Sequence, residues 1–72
     1  MIDTAALRGA IVTEYKTVNA FSQASGIPRA TLDNLLLGRH KPSYEQMSKI
    51  YQTLQRLTVE QKFHIFFADH LA

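Results

Sequence analysis

The chain has 72 residues, 46% of them hydrophobic, with no cysteine and a formal net charge of +2. This composition argues for one small folded domain over residues 1–72, against disorder, and it excludes disulfides and thiolate metal sites. No apolar run approaches membrane-spanning length and Met1-Ile2-Asp3-Thr4 lacks the regions of a secretory signal, so a cytoplasmic protein with no membrane partner is expected.

Asp3 or Thr4 can cap a first helix running to about residue 16. Leu7, Ala10, Ile11 and Tyr15 form its inner stripe, and Gly9 on the opposite side weakens it slightly. Thr17 caps a second helix, in which Phe21 and Ala24 point one way. Gly26 follows directly, and a residue without a β-carbon can take the left-handed conformation that closes a helix. Ile27 then turns inward. Pro28 suits the first turn of a third helix over residues 28–37, because its missing N–H costs nothing there. Leu32, Leu35 and Leu36 form the buried side of that helix, and Arg29, Ala30, Asp33 and Asn34 face outward. Leu37 lies near the outer side, partly covered by a neighbouring element. Gly38 ends the helix, and Arg39-His40-Lys41-Pro42 leads away.

Ser43-Tyr44-Glu45-Gln46 matches a capping box and opens a fourth helix that ends near residue 56. Met47, Ile50, Tyr51 and Leu54 form its inner stripe. Thr58-Val59-Glu60-Gln61 is a second capping box, opening a fifth helix over about residues 58–71. Val59, Phe63, Phe66 and Phe67 lie on one side of it, and Ile65, Ala68 and Ala72 on the other. Repeats, low-complexity segments and interdomain linkers are absent from the sequence. The pattern predicts an all-α protein of five helices.

Residues 17–37, two helices around a tight turn containing glycine, describe a helix-turn-helix. Phe21-Ser22, Gly26, Ile27, Leu32, Leu35, Gly38 and Lys41-Pro42-Ser43 together resemble the lambda-repressor and Cro-like helix-turn-helix family. The resemblance covers about residues 4–57. Ser22 stands where the family often has alanine, and Thr17-Val18 where it often has a DNA-touching glutamine. The resemblance implies a five-helix lambda-repressor-like DNA-binding domain. It further implies a bacterial or phage-type transcriptional regulator, a repressor, bound as a homodimer to a two-fold operator with its third helix in the major groove.

An α-helix fits the major groove, and its N-terminal residues reach base edges. Pro28 and Ala30 are small enough for close approach. Arg29 can pair with guanine or hold a phosphate, and Asn34 can pair with adenine. Asp33 repels phosphate, so near DNA it either accepts from cytosine N4 or orients Arg29 by an i,i+4 pair. Phosphate contacts are expected from Thr31, which can also touch a thymine methyl, and from Arg39, His40, Lys41, Ser43 and Tyr44. Lys16, Thr17 and Asn19 at the front of the second helix can hold another phosphate. The plainer readings of these groups are a solvated helix face, a basic surface loop and simple capping.

The fifth helix is apolar on two sides, and such a helix usually covers something on each. Phe63, Ile65, Phe66 and Ala68 are therefore the expected dimer interface, with completion of the core as the plainer role for the phenylalanines. A core this small supplies only a few kcal/mol of net stability, which an oligomer would supplement. His64 and His70 are six positions apart and do not share a helical face. No nucleophile elbow or glycine-rich phosphate loop is present, so no enzyme, metal site, cofactor or small-molecule ligand is expected. The pI of about 9.2 suits nucleic acid, although a mixed-charge surface gives a similar value. The competing reading is a protein-interaction module on the same fold that binds a repressor or an enzyme, favoured by Asp33 and the modest charge. An architectural DNA binder without sequence preference is a third.

Overall fold

The computed structural model describes residues 2–67. Five α-helices, and among the described residues no strands, follow one another: α1 (Thr4–Tyr15), α2 (Val18–Ser25), α3 (Arg29–Leu36), α4 (Tyr44–Thr53) and α5 (Val59–Phe66). None of them is long and apolar enough to cross a membrane.

Helix starts follow local side-chain chemistry. Asp3 accepts from the Ala6 amide at 3.0 Å, and Thr17 accepts from Ala20 at 3.1 Å. Both capping boxes are closed, Ser43 with Gln46 and Thr58 with Gln61. Each satisfies amides that a helix terminus otherwise leaves unpaired. Helix ends depart more from the sequence pattern. α1 stops at Tyr15 because Lys16 takes φ 72°. Pro28 lies outside the first turn of α3, with extended ψ of 143°. α4 ends at Thr53, short of residue 56, because Leu54 leaves helical geometry with ψ 83°. The stretch 68–71 of the expected fifth helix lies outside the described residues.

The core gathers Leu7, Ile11, Phe21, Ile27, Leu32, Leu35, Leu36, Ile50, Leu54, Ile65 and Phe66. It is the junction of all five helices, and α3 enters it with three leucines. Between α2 and α3, Gly26 has φ 76°, and its amide donates to the Ser22 carbonyl at 3.0 Å. The Ser22 hydroxyl donates to the Ile27 carbonyl at 2.6 Å, and the Ile27 amide donates to the Ser25 hydroxyl at 3.3 Å. These bonds turn Ile27 into the core. They also explain one correction: on α2 it is Ser25 that is buried beside Phe21, while Ala24 is exposed. A hydroxyl that satisfies the turn backbone is more useful inside than another methyl.

α5 presents a different face from the one its phenylalanines suggest. Ile65 and Phe66 are buried, whereas Phe63, Phe67 and Val59 are exposed. Apolar residues lie on two sides of this helix, so periodicity alone does not choose its inner side. Tertiary packing makes the choice, with Ile65 and Phe66 in the core, and the Asp3 amide donates to the Ile65 carbonyl at 2.8 Å, holding the end of α5 against the start of α1. Ile50 on α4 and Leu54 just after it are inside, but Tyr51 is exposed, lying against the Phe66 ring with Lys62 over its face. Leu37 is 59% exposed, not partly covered, because it sits where the chain turns away from α3.

Candidate nucleic-acid interface

Burial of Leu32, Leu35 and Leu36 orients α3 and leaves Pro28, Arg29, Ala30 and Asn34 exposed on its other side. Thr31 and Asp33 are half-buried. Arg29 is held from two helices. Its Nε donates to Asp33 Oδ1 at 3.0 Å, one turn along α3, and its Nη1 donates to Asn19 Oδ1 at the front of α2. The i,i+4 spacing makes the Asp33 pair readable in the sequence. Asn19 is ten positions from Arg29, and only the turn at Gly26 brings them together. Asn19 therefore acts on a side chain of the exposed face of α3, and its amide N–H groups are left for water or an anion.

The chain leaves α3 tightly. Gly38, with φ 75°, donates its amide to the Leu35 carbonyl at 3.1 Å, and Arg39 donates its amide to the Asn34 carbonyl at 2.9 Å. Arg39, His40 and Lys41 are exposed beyond this turn. His40 Nε2 lies 3.2 Å from Gln46 Oε1. An amide oxygen only accepts, so the ring nitrogen is the donor here. The same oxygen accepts from the Ser43 amide at 3.0 Å, while Ser43 Oγ accepts from the Gln46 amide at 3.1 Å. Ser43 keeps its hydroxyl proton to donate. Tyr44 is 88% exposed in the first turn of α4.

At the front of α2, Lys16 and Thr17 are exposed, with Thr17 Oγ accepting its capping bond. Cations thus sit on the segments flanking α3 as well as on α3 itself. Glu45, which would oppose them, pairs with Lys49 at 3.5 Å. The acid on α3, Asp33, is engaged with Arg29.

The expected dimer residues divide. Ile65 and Phe66 are core residues and cannot face a partner without unpacking it. Phe63 is 45% exposed, and Ala68 lies outside the described residues. Among the described residues no group of three His, Cys, Asp or Glu is arranged to hold a metal ion.

Sequence reasoning missed two ties behind this surface. Glu14 Oε1 accepts from the amides of Gln55 at 2.9 Å and Arg56 at 3.1 Å, and Tyr15 donates its hydroxyl to the Thr53 carbonyl. Neither has a local signal, because each joins residues about forty positions apart in the sequence. No family model, curated protein or solved structure matches this chain.

Proposed function

We propose that this protein is a sequence-specific double-stranded-DNA-binding transcriptional regulator, a repressor acting by occupancy of its site. α3 is the reading helix, and the segments before and after it hold phosphates. The observation that carries this reading is the sidedness of α3: three leucines buried, and Pro28, Arg29, Ala30 and Asn34 exposed. The exposed Arg39-His40-Lys41 segment follows at once. A helix needs a small, polar outer face to approach base edges and nearby cations to neutralise phosphates. The resemblance to lambda-repressor-like domains supports the same assignment.

The homodimer stays part of this proposal on narrower ground. Phe63 is its exposed residue, and its ring lies 5.2 Å from that of Phe67. The exposed aromatics Tyr51, Phe63 and Phe67 also favour the second reading, a protein-interaction module.

Selection from random duplex DNA tests the proposal. Enrichment of one site, bound more tightly than unrelated duplex at fixed salt, is the expected result. Equal, salt-sensitive binding to every duplex would indicate an architectural binder. Absence of binding at low salt would favour the protein-interaction module.

A further inference from the structure

We propose that Asn19 and Asp33 hold the Arg29 guanidinium as a fixed fork that selects a guanine in the major groove. Asn19 is then a positioning residue for base reading and not primarily a phosphate ligand. This inference rests on the DNA-binding reading above and names the base that α3 recognises.

A guanidinium carries five N–H donors in one plane. Asp33 takes the Nε donor and Asn19 takes one on Nη1. The remaining donors are one on Nη1 and both on Nη2; we take the Asn19 bond to use the Nη1 hydrogen nearer the side-chain stem, which leaves the pair of terminal nitrogens as the free edge. Two parallel donors match the O6 and N7 acceptors that guanine shows in the major groove. Adenine puts an amino donor beside its N7, and neither cytosine nor thymine offers two adjacent acceptors. The donors left over therefore select guanine.

The anchors also fix where this edge lies. Asp33 is on the same helix as Arg29, while Asn19 belongs to α2. Two anchors on different elements restrain both the stem and the rotation of the guanidinium plane. The Arg29 side chain remains 48% exposed, so the fork is held yet reachable. A long side chain that is already ordered loses less freedom on binding. The Asp33 carboxylate offsets the charge of Arg29, so this pair contributes more to discrimination than to general attraction for phosphate. Arg39 and Lys41 are left to supply that attraction.

The test uses the full chain and its selected duplex. The guanine facing α3 is replaced by adenine, or by 7-deazaguanine, which lacks the N7 acceptor. Wild type should prefer guanine by about tenfold or more, the discrimination of a good bidentate pair. Asn19→Ala and Asp33→Ala should each lose most of this preference; Asn19→Ala should leave the salt dependence of binding to unrelated duplex unchanged, whereas Asp33→Ala, which frees the Arg29 charge, should tighten that binding and steepen its salt dependence. Asn19→Asp should retain it, because a carboxylate still accepts from Arg29 although it repels phosphate. Retention of the wild-type preference in Asn19→Ala would overturn the proposal. So would a smaller salt slope in that variant with the guanine preference intact, which is the signature of a lost phosphate contact. A selected site with no guanine under α3 would overturn this inference and leave the DNA-binding reading standing. No enriched site at all would overturn both.

Discussion

The Tyr15 hydroxyl donates to the Thr53 carbonyl oxygen at 2.6 Å, joining the last residue of α1 to the last residue of α4. The last carbonyls of a helix have no partner within it, so this bond satisfies a group that the helix itself leaves open. Next to it, Glu14 receives the amides of Gln55 and Arg56 just after α4 ends. Together these two side chains fix the direction in which the chain leaves α4 for α5.

Removing the hydroxyl with Tyr15→Phe should cost about 1–2 kcal/mol, the range for losing a partly buried bond and leaving its acceptor open. For a domain this small each kcal/mol lowers Tm by ~4–8 °C. The phenol also titrates. Burial raises its pKa above the ordinary value of 10.0, the Glu14 carboxylate raises it further, and Arg56 opposes both. The folded state thus binds this proton more tightly than the unfolded state does. The resulting stability is fully present below the unfolded phenol pKa and is lost as pH rises through the folded one. Thermal melts of wild type and Tyr15→Phe should therefore converge as pH is raised above 10.0. A constant gap would show that Tyr15 acts without reference to its charge state.

Glu14→Ala should free the Gln55 and Arg56 amides. Hydrogen exchange at these two positions should accelerate, while the amides of α2 and α3 keep their rates. Glu14→Gln retains a carbonyl acceptor and should lie between Ala and wild type, since a charged acceptor is about twice as strong as a neutral one. Identical exchange in all three proteins would mean that the tie does not order this segment.

Gly26→Ala probes the turn before α3. A β-carbon at Gly26 meets nothing within 4 Å, so the cost comes from the backbone alone at φ 76°. It should be about 1–2 kcal/mol, the penalty of a left-handed conformation for an L-residue. Denaturant unfolding measures it. Since Asn19 and Arg29 flank this turn, the substitution should also weaken preference for the selected DNA site. A neutral result would show that the turn can relax.

Ile65→Asp and Phe63→Asp separate the two sides of α5. The first buries a charge in the core and should leave the protein largely unfolded by circular dichroism. The second places a charge on an exposed ring position and should leave the fold intact. If Phe63 lies in a homodimer interface, Phe63→Asp should yield monomers in sedimentation at concentrations where wild type dimerises. Wild type that stays monomeric, free and on DNA, would remove the homodimer from the proposal.

Arg39→Ala and Lys41→Ala should weaken binding to all duplexes by similar factors. Each should reduce the slope of log affinity against log salt by about one, as one phosphate contact is lost. A loss confined to the selected site, with an unchanged slope, would move that residue from phosphate holding to base reading.

What the sequence determined by itself is local. Thr17, Ser43 and Thr58 cap the helices that follow them, because capping needs only an oxygen near amides two or three residues on. Gly26 takes the left-handed turn, and Leu32, Leu35 and Leu36 are buried, because turn strain and leucine spacing act over a few residues. The outward position of Arg29 and Asn34 follows from that same spacing. Tertiary structure decided the rest. α5 is apolar on two sides, so its amino acids permit either face, and packing against the other helices places Ile65 and Phe66 in the core. Tyr51 shares a stripe with Ile50 and Leu54, yet ring contact with Phe66 and the Lys62 cation leaves it at the surface. The partnership of Asn19 with Arg29 exists only once the turn folds α2 back against α3. A periodic pattern gives the direction of a side chain about its own helix axis. Which neighbour it meets depends on how the helices pack.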